Sequence, residues 1–424
     1  MKTKVVKIEN TNLYILKNDN FKTTRIEAKF RINIDKKEVP ILGLLSNALT
    51  YTTKNYNTKK ELTNRCKDLY DLIPSCNVIE EGNRHTLNLA LSFLNDKYSE
   101  ENLLEEAVNL THEIIYNPNI TDNKYDEETF NAVLTIEKAY LETLKEDKVK
   151  YSSKRLMDIL NEDDEDYLSI LSKEYYDIVA NSTREDLAKC YNDVINNSEL
   201  SILIIGDVDI DKTEELFKKY FKEKHGIKYD KDANKYYKIN KKVETVFESD
   251  KSSQSKLNIA FNLPENMTND NKLIELQILN IILGGFANSL FFKNIREKHS
   301  LCYYVSTYTP FYDNLLVVRS GISKENYDKM IKLIKKEIKR VIDKDYSDSL
   351  LEEAKKHYIS CLKSNMDYPA AILNNYYTNK VDGLSLFENR YDAINKVTKD
   401  DIKELASKLK MNTIYMFGGD SKND

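Results

Sequence analysis

Five histidines and five cysteines are the side chains with the widest chemical scope in this chain of 424 residues. A helix-borne metal site needs two ligand groups one turn apart on the same face. His85, His112, His225, His299 and His357 contain no two histidines at ligand spacing. His85 opens a strand pattern, His112-Glu113 lies on an amphipathic helix, and His225 falls in a polar stretch. All five read as surface or hydrogen-bonded residues. Cys66, Cys76, Cys190, Cys302 and Cys361 are scattered, odd in number and free of any C-x-x-C pair. They read as reduced, small core hydrophobes, none with a neighbouring base. Gly284-Gly285 lacks the G-x-G-x-x-G pattern and the following Lys-Ser or Lys-Thr of a phosphate loop, so a tight turn or close packing is expected there. No G-x-S-x-G elbow occurs.

The bulk of the sequence has to position whatever chemistry remains. Charged residues at 31% and hydrophobic residues at 41% supply packed cores and a mixed surface, and the length implies two or more folding units. A net charge of −5 favours neither a nucleic-acid backbone nor an anionic membrane as partner. The lysine-rich stretch Lys235 to Lys242 has acidic neighbours and reads as a solvated face. No apolar run reaches the ~18 residues of a membrane span. Met1 to Asn10 carries neither an apolar core nor a small-residue cleavage site, so the expected compartment is the cytoplasm.

The chain repeats itself. Ile26, Ala28, Phe30, Ile32 and Ile34 alternate with Arg25, Glu27, Lys29 and Arg31, the period of a half-buried strand. Leu257, Ile259, Phe261 and Leu263 do the same, as do Leu87, Leu89, Leu91 and Phe93. Ser99 heads an amphipathic stripe of Leu103, Ala107, Leu110 and Ile114, and Ser323 heads Tyr327, Ile331, Ile334 and Ile338 at the same steps. Each serine is placed as an N-cap. Ser182-Thr183-Arg184-Glu185-Asp186-Leu187 leads to the strand Leu200 to Ile205 and Gly206-Asp207. Val397-Thr398-Lys399-Asp400-Asp401-Ile402 leads to Thr413 to Phe417 and Gly418-Gly419-Asp420. These matches, in one order, predict an α+β chain of two similar lobes, each a mainly antiparallel sheet covered by helices. The expected division is residues 1–221 for the first lobe, 222–250 for a linker and 251–424 for the second lobe.

This order of elements resembles the insulinase/pitrilysin family of inverted zinc peptidases over the whole chain. Asn20-Phe21-Lys22-Thr23-Thr24, Asp68-Leu69-Tyr70, Ile136-Glu137-Lys138 and the segment from Glu146 to Tyr151 point to a non-catalytic bacterial subgroup linked to modification of elongation factor P. The resemblance implies a mitochondrial processing peptidase-like fold of the LuxS/metallohydrolase type. Active members carry H-x-x-E-H on the first helix, two zinc ligands with a base between them. With Tyr56-Asn57-Thr58 aligned to the family's Tyr-Pro-Thr, Gly43 takes the place of the first His, Ser46 of the Glu and Asn47 of the second His. Glycine has no ligand atom, a neutral Asn carbonyl is a poor zinc ligand, and a Ser hydroxyl needs a further base at neutral pH. No His precedes Arg84, so an alignment slip does not rescue the motif. The helix survives as packing through Ile41, Leu44, Leu45, Ala48 and Leu49. A third ligand would fall near Glu142.

The resemblance also implies a role for Arg296 and Tyr303. Active members carry an Arg and a Tyr seven residues apart here, donating hydrogen bonds to the substrate backbone and the developing oxyanion. Without that context, Arg296-Glu297-Lys298 reads as a solvated helix end and Tyr303 as a strand residue. The implied function is the non-catalytic subunit of a heteromeric zinc peptidase. Such a subunit has no metal or cofactor of its own, since zinc is expected in an H-x-x-E-H-bearing homologous partner, and it encloses a peptide or protein substrate. A homodimer stays open, as does a peptide- or protein-binding accessory role without proteolysis.

Overall fold

The computed structural model describes residues 1–223, 232–239, 241–251, 254–263, 267 and 269–419. His225, part of the lysine-rich stretch and Asp420 lie outside them. Among the described residues, the first large sheet has the order β1 (Lys2–Ile8), β2 (Thr11–Lys17), β8 (Ser198–Gly206), β3 (Thr23–Ile32), β5 (Arg84–Leu94), β4 (Ile73–Glu81). A minimal ladder pairs β6 (Ile120–Thr121) with β7 (Lys124–Tyr125). The second large sheet has the order β9 (Glu244–Glu248), β13 (Lys410–Phe417), β10 (Ser255–Asn262), β12 (Leu315–Ile322), β11 (Cys302–Tyr308).

The two sheets are copies of one plan. From β2 and from β9, each opens with a parallel pair, β2/β8 and β9/β13, and continues with three antiparallel pairs. Strand β1 is an extra antiparallel edge on the first sheet. The helices repeat as well. α1 (Val39–Leu49) and α9 (Asp270–Asn280) follow β3 and β10, and α2 (Lys59–Asp68) leads into β4. α3 (Leu103–Tyr116) and α10 (Tyr327–Ile342) follow β5 and β12, and α4 (Glu127–Thr143) and α11 (Asp348–Asn365) come next. α5 (Lys148–Leu160) and α12 (Pro369–Asp382) then occupy corresponding places, followed by α6 (Lys173–Ala180) and α13 (Tyr391–Lys396). α7 (Arg184–Asn197) and α14 (Lys399–Lys408) precede β8 and β13, and α8 (Ile210–Tyr220) closes the first half.

The helix starts show why the repeat was readable. Thr183 Oγ1 accepts from Asp186 N at 3.1 Å, and the Asp186 carboxylate accepts from Thr183 N at 2.9 Å. Thr398 and Asp401 make the same reciprocal box at 3.3 and 2.8 Å. The expected caps Ser99 and Ser323 differ. Asn102 and Asn326 precede α3 and α10 without a side-chain cap, Ser99 Oγ donates to the Glu101 carbonyl, and Ser323 heads a 3₁₀ turn over Lys324–Asn326. A short turn separates each serine from its helix, so the hydroxyl sits too early to reach the first helical N–H groups.

A second difference is the polar face of β3. Alternation predicted a half-buried strand, yet Glu27 and Lys29 are each only 3% exposed and Arg31 is buried too. The charges are paired in place: Glu27 binds Arg25 at 2.7 Å and Lys29 at 3.1 Å, and Arg31 meets Glu199 at 2.8 Å. Residues 368–377 pack into this lobe, with the Tyr377 ring 5.2 Å from Lys29 Nζ and the Tyr376 ring edge-on to Tyr14. Buried ions persist when their partners are satisfied, and here the pattern of three cations and two carboxylates does that.

The compact units therefore do not follow the sequence halves throughout. One comprises Met1–Thr143, Asp166–Asp232 and Tyr368–Tyr377, the other Leu144–Glu165, Ala233–Asp367 and Thr378–Asp424. The second unit includes α5 for an apolar reason. Leu156 and Ile159 pack with Ala260, Leu315, Val317, Tyr415 and Phe417 on one face of its sheet. Polar ties fix the helix there: Glu248 accepts from Arg155 Nε at 2.6 Å, Tyr415 Oη at 2.9 Å and Tyr151 Oη at 3.3 Å. The other face carries the main core of that unit, built on Leu257, Ile259, Phe261, Leu316 and Val318 with α9, α10, α11 and α14. Strand β9, within the stretch 222–250, is a full member of this sheet.

Candidate functional site

Helix α1 begins with Pro40 in its first turn and buries Ile41, Leu42, Leu44, Leu45, Ala48 and Leu49. That apolar set turns the face bearing Gly43, Ser46 and Asn47 toward α4 and α6. Ser46 Oγ donates to the Gly43 carbonyl at 2.7 Å, within its own helix. Asn47 Nδ2 donates to Glu137 Oε2 at 3.2 Å. Glu137, on α4, is 7% exposed. A Cβ added at Gly43 would lie 3.6 Å from Glu137 Oε1 and 3.7 Å from the Tyr175 hydroxyl on α6. The structure thus places Gly43 and Asn47 beside Glu137, and not beside Glu142, while Ser46 is bonded within its own helix. Glu142 is exposed and accepts from the Tyr176 hydroxyl at 3.1 Å. Five residues along a helix change the facing direction by more than a quarter turn, which separates the two carboxylates.

Burial pushes the Glu137 carboxyl above its ordinary range, and the Asn47 amide opposes this. Burial also raises the Tyr175 hydroxyl, with the Glu137 charge adding to the effect. The donor set is one buried carboxyl, one amide and one hydroxyl bonded to its own helix. It does not fit zinc, which takes thiolate, imidazole or ionised carboxylate. Among the described residues no group of three or more His, Cys, Asp or Glu side chains is placed to hold a metal ion.

The raised Glu137 has a consequence for stability. A carboxyl whose pKa is higher in the folded state binds more protons when folded, so stability falls as pH rises from the usual glutamate range through the raised value. Glu137→Gln keeps the acceptor for Asn47 and removes the ionisation. The variant is expected to be more stable than the parent at neutral pH, with the advantage vanishing below the usual glutamate range. Urea titrations at several pH values check this, and a constant difference across pH would exclude it.

The histidines mostly behave as expected. His112 Nε2 lies 2.9 Å from Glu223 Oε1, and His85 is 3.8 Å from Glu80. One expectation is corrected: Cys361 does have a neighbouring base, with its Sγ 3.6 Å from His357 Nε2. The signal was in the sequence, because residues four apart on a helix share a face.

Arg296 and Tyr303 belong to the second compact unit. Arg296 sits on a π-helical turn, Phe292–Glu297, with its guanidinium 4.7 Å from the centre of the Phe292 ring. Burial raises the Cys302 thiol, while the Ser320 hydroxyl and the Arg296 charge oppose the rise. Tyr303 falls where the β11/β12 register shifts, between Cys302 opposite Ile322 and Tyr304 opposite Gly321. A bulge of this kind re-aims a side chain, and Tyr303 is 76% exposed on an edge strand. Gly284 and Gly285 end a second π-helical turn, Ile281–Gly285. A Cβ at Gly284 would lie 2.9 Å from Thr307 Cγ2, so this glycine serves close packing against β11.

The repeated α+β plan thus sets α1, with no imidazole at residues 43, 46 or 47, against a buried carboxyl on α4. Residues 181–358 match the family model described as "Peptidase M16 inactive domain". The chain is 26% identical over 410 residues to the protein of Bacillus subtilis (strain 168) named "Probable inactive metalloprotease YmfF", covering 96% of this chain and 95% of that one. It is similar to the crystal structure of a conserved protein from Enterococcus faecalis V583, at 28% identity and a TM-score of 0.88 with full coverage of both chains. A chain of complex III2 from Candida albicans shares the fold at a TM-score of 0.71 and 14% identity, covering 98% of this chain and 95% of that one. The chain is thus similar, over residues 181–358, to an inactive M16 peptidase domain and, over nearly its whole length, to a protein named as a probable inactive metalloprotease. Its described helices include none long and apolar enough to cross a membrane.

Proposed function

We propose that this chain is the non-catalytic subunit of a heteromeric zinc peptidase, acting in the cytoplasm beside a homologous subunit that carries H-x-x-E-H. The partner supplies the metal and the base. This chain supplies part of the wall of the substrate chamber, with Arg296 and Tyr303 donating to the substrate. One observation carries the reading: residues 43, 46 and 47 offer no zinc-ligand chemistry, whereas Arg296 is kept seven residues before Tyr303, which is 76% exposed on an edge strand of its sheet. An open edge presents unpaired backbone groups to which an extended peptide adds as a strand, and a bulged Tyr at its start would meet that peptide's carbonyls. Complex III2 offers a multi-chain setting for the same fold.

Co-expression with a homologous H-x-x-E-H-bearing chain, followed by size-exclusion chromatography with light scattering and a peptidase assay, tests the proposal. A stable mixed complex with peptidase activity absent from either chain alone is expected. Failure to associate would favour the rival role, a peptide- or protein-holding accessory without proteolysis, for example in elongation factor P modification.

A further inference from the structure

The geometry points to a reactive thiol at Cys361, assisted by His357, that exchanges with low-molecular-weight disulfides and so forms a site of reversible modification on α11. Two features distinguish this cysteine from the other four. Cys361 is exposed, whereas Cys66 and Cys190 are buried and Cys76 and Cys302 are partly covered. Cys361 also has an imidazole nitrogen at 3.6 Å, one helical turn away. The imidazole is held in that position. Its ring lies against the Phe286 ring at 5.3 Å between centroids with a 30° tilt, which limits rotation about the side chain and keeps Nε2 on the sulfur side.

The surroundings fit a thiol that reacts rather than packs. Burial pushes the Cys76 and Cys190 thiols up to about 12, which keeps them protonated at neutral pH. Cys66 and Cys302 are raised by the same cause. A thiolate is the attacking species in exchange, so those four are disfavoured. Glu353 lies one turn before His357, and its carboxylate accepts from Asn288 Nδ2 at 3.2 Å. Glu353, His357 and Cys361 thus occupy successive turns of one helix face.

The exchange balances without a metal or a cofactor. His357 Nε2 takes the thiol proton, and the Cys361 sulfur attacks one sulfur of the disulfide. A new S–S bond forms as the old one breaks. The departing sulfur leaves as a thiolate and takes up a proton. Cys361 is oxidised to a mixed disulfide, and half of the small disulfide is reduced to a thiol.

Oxidised glutathione is a suitable probe, with intact-mass spectrometry and peptide mapping of the folded, full-length chain. One adduct per chain on Cys361 is expected, and Cys361→Ser should remove it. The initial rate, followed across pH, should fall about tenfold at neutral pH in His357→Gln and in His357→Phe. The Phe variant keeps a ring against Phe286, so a loss shared by both variants reports the missing base and not lost packing. Adducts mapping mainly to Cys76 or Cys302, or an unchanged rate and pH profile in both His357 variants, would overturn the inference.

Discussion

Leu156→Ala is expected to weaken the second lobe by roughly 2–5 kcal/mol, the range for truncating a fully buried leucine. Leu156 has no exposed surface and sits among Ile159, Ala260, Leu315, Val317, Tyr415 and Phe417. Both costs of a large-to-small change apply: lost transfer of the removed methyl groups, and a cavity between α5 and the sheet that the rigid β10, β12 and β13 cannot close. The effect belongs to the second lobe although Leu156 lies in the first half of the sequence. Hydrogen exchange followed by mass spectrometry reads that distinction directly, since it reports opening strand by strand. Protection should fall in β10 and β13 and hold in β3 and β5. Val149→Ala on the exposed side of the same helix is the control, expected within about 0.5 kcal/mol of the parent. Equal loss of protection in both large sheets, or none, would contradict the placement of α5.

The second large effect concerns catalysis in the proposed mixed complex. Removing a preorganised donor to an oxyanion costs about 10²- to 10³-fold in kcat in well-studied cases, and Tyr303→Phe removes one hydroxyl and nothing else. Because Tyr303 is 76% exposed, the substitution should leave the fold within about 0.5 kcal/mol, so a loss of activity isolates the hydroxyl's role. Arg296→Ala is expected to act in the same direction and to add a smaller stability cost. Its guanidinium also lies over the Phe292 ring, a contact worth about 0.5–1 kcal/mol at an exposed site. Arg296→Lys separates charge from geometry: it keeps the cation and loses the planar fork, so partial activity is expected. If Tyr303→Phe and Arg296→Ala both leave the mixed complex fully active, the assigned role is wrong even if the complex forms.

The order of strands and helices was legible because its signals are local. Period-two alternation at Ile26 to Ile34 and Leu257 to Leu263, and the Thr-x-x-Asp boxes at Thr183 and Thr398, depend on spacing along a single element. Residues 43, 46 and 47 share a face of any helix that contains them, so their common setting was legible for the same reason. The Cys361–His357 pair was equally local. A thiol and an imidazole four residues apart share a helix face wherever that helix packs.

What the sequence determined by itself was the repeat, the α+β class, the apolar face of α1 and the lack of any histidine before residue 85. Tertiary structure alone decided three matters. It chose Glu137 over Glu142 as the carboxyl facing Asn47, because the rotation of α4 against α1 is set by packing between distant segments. It buried the charged face of β3, because the covering residues 368–377 come from the other end of the chain. It placed α5 on the second sheet, because Leu156 and Ile159 find their apolar partners there. Local pattern gives each element a face, and only the assembled core determines what that face meets.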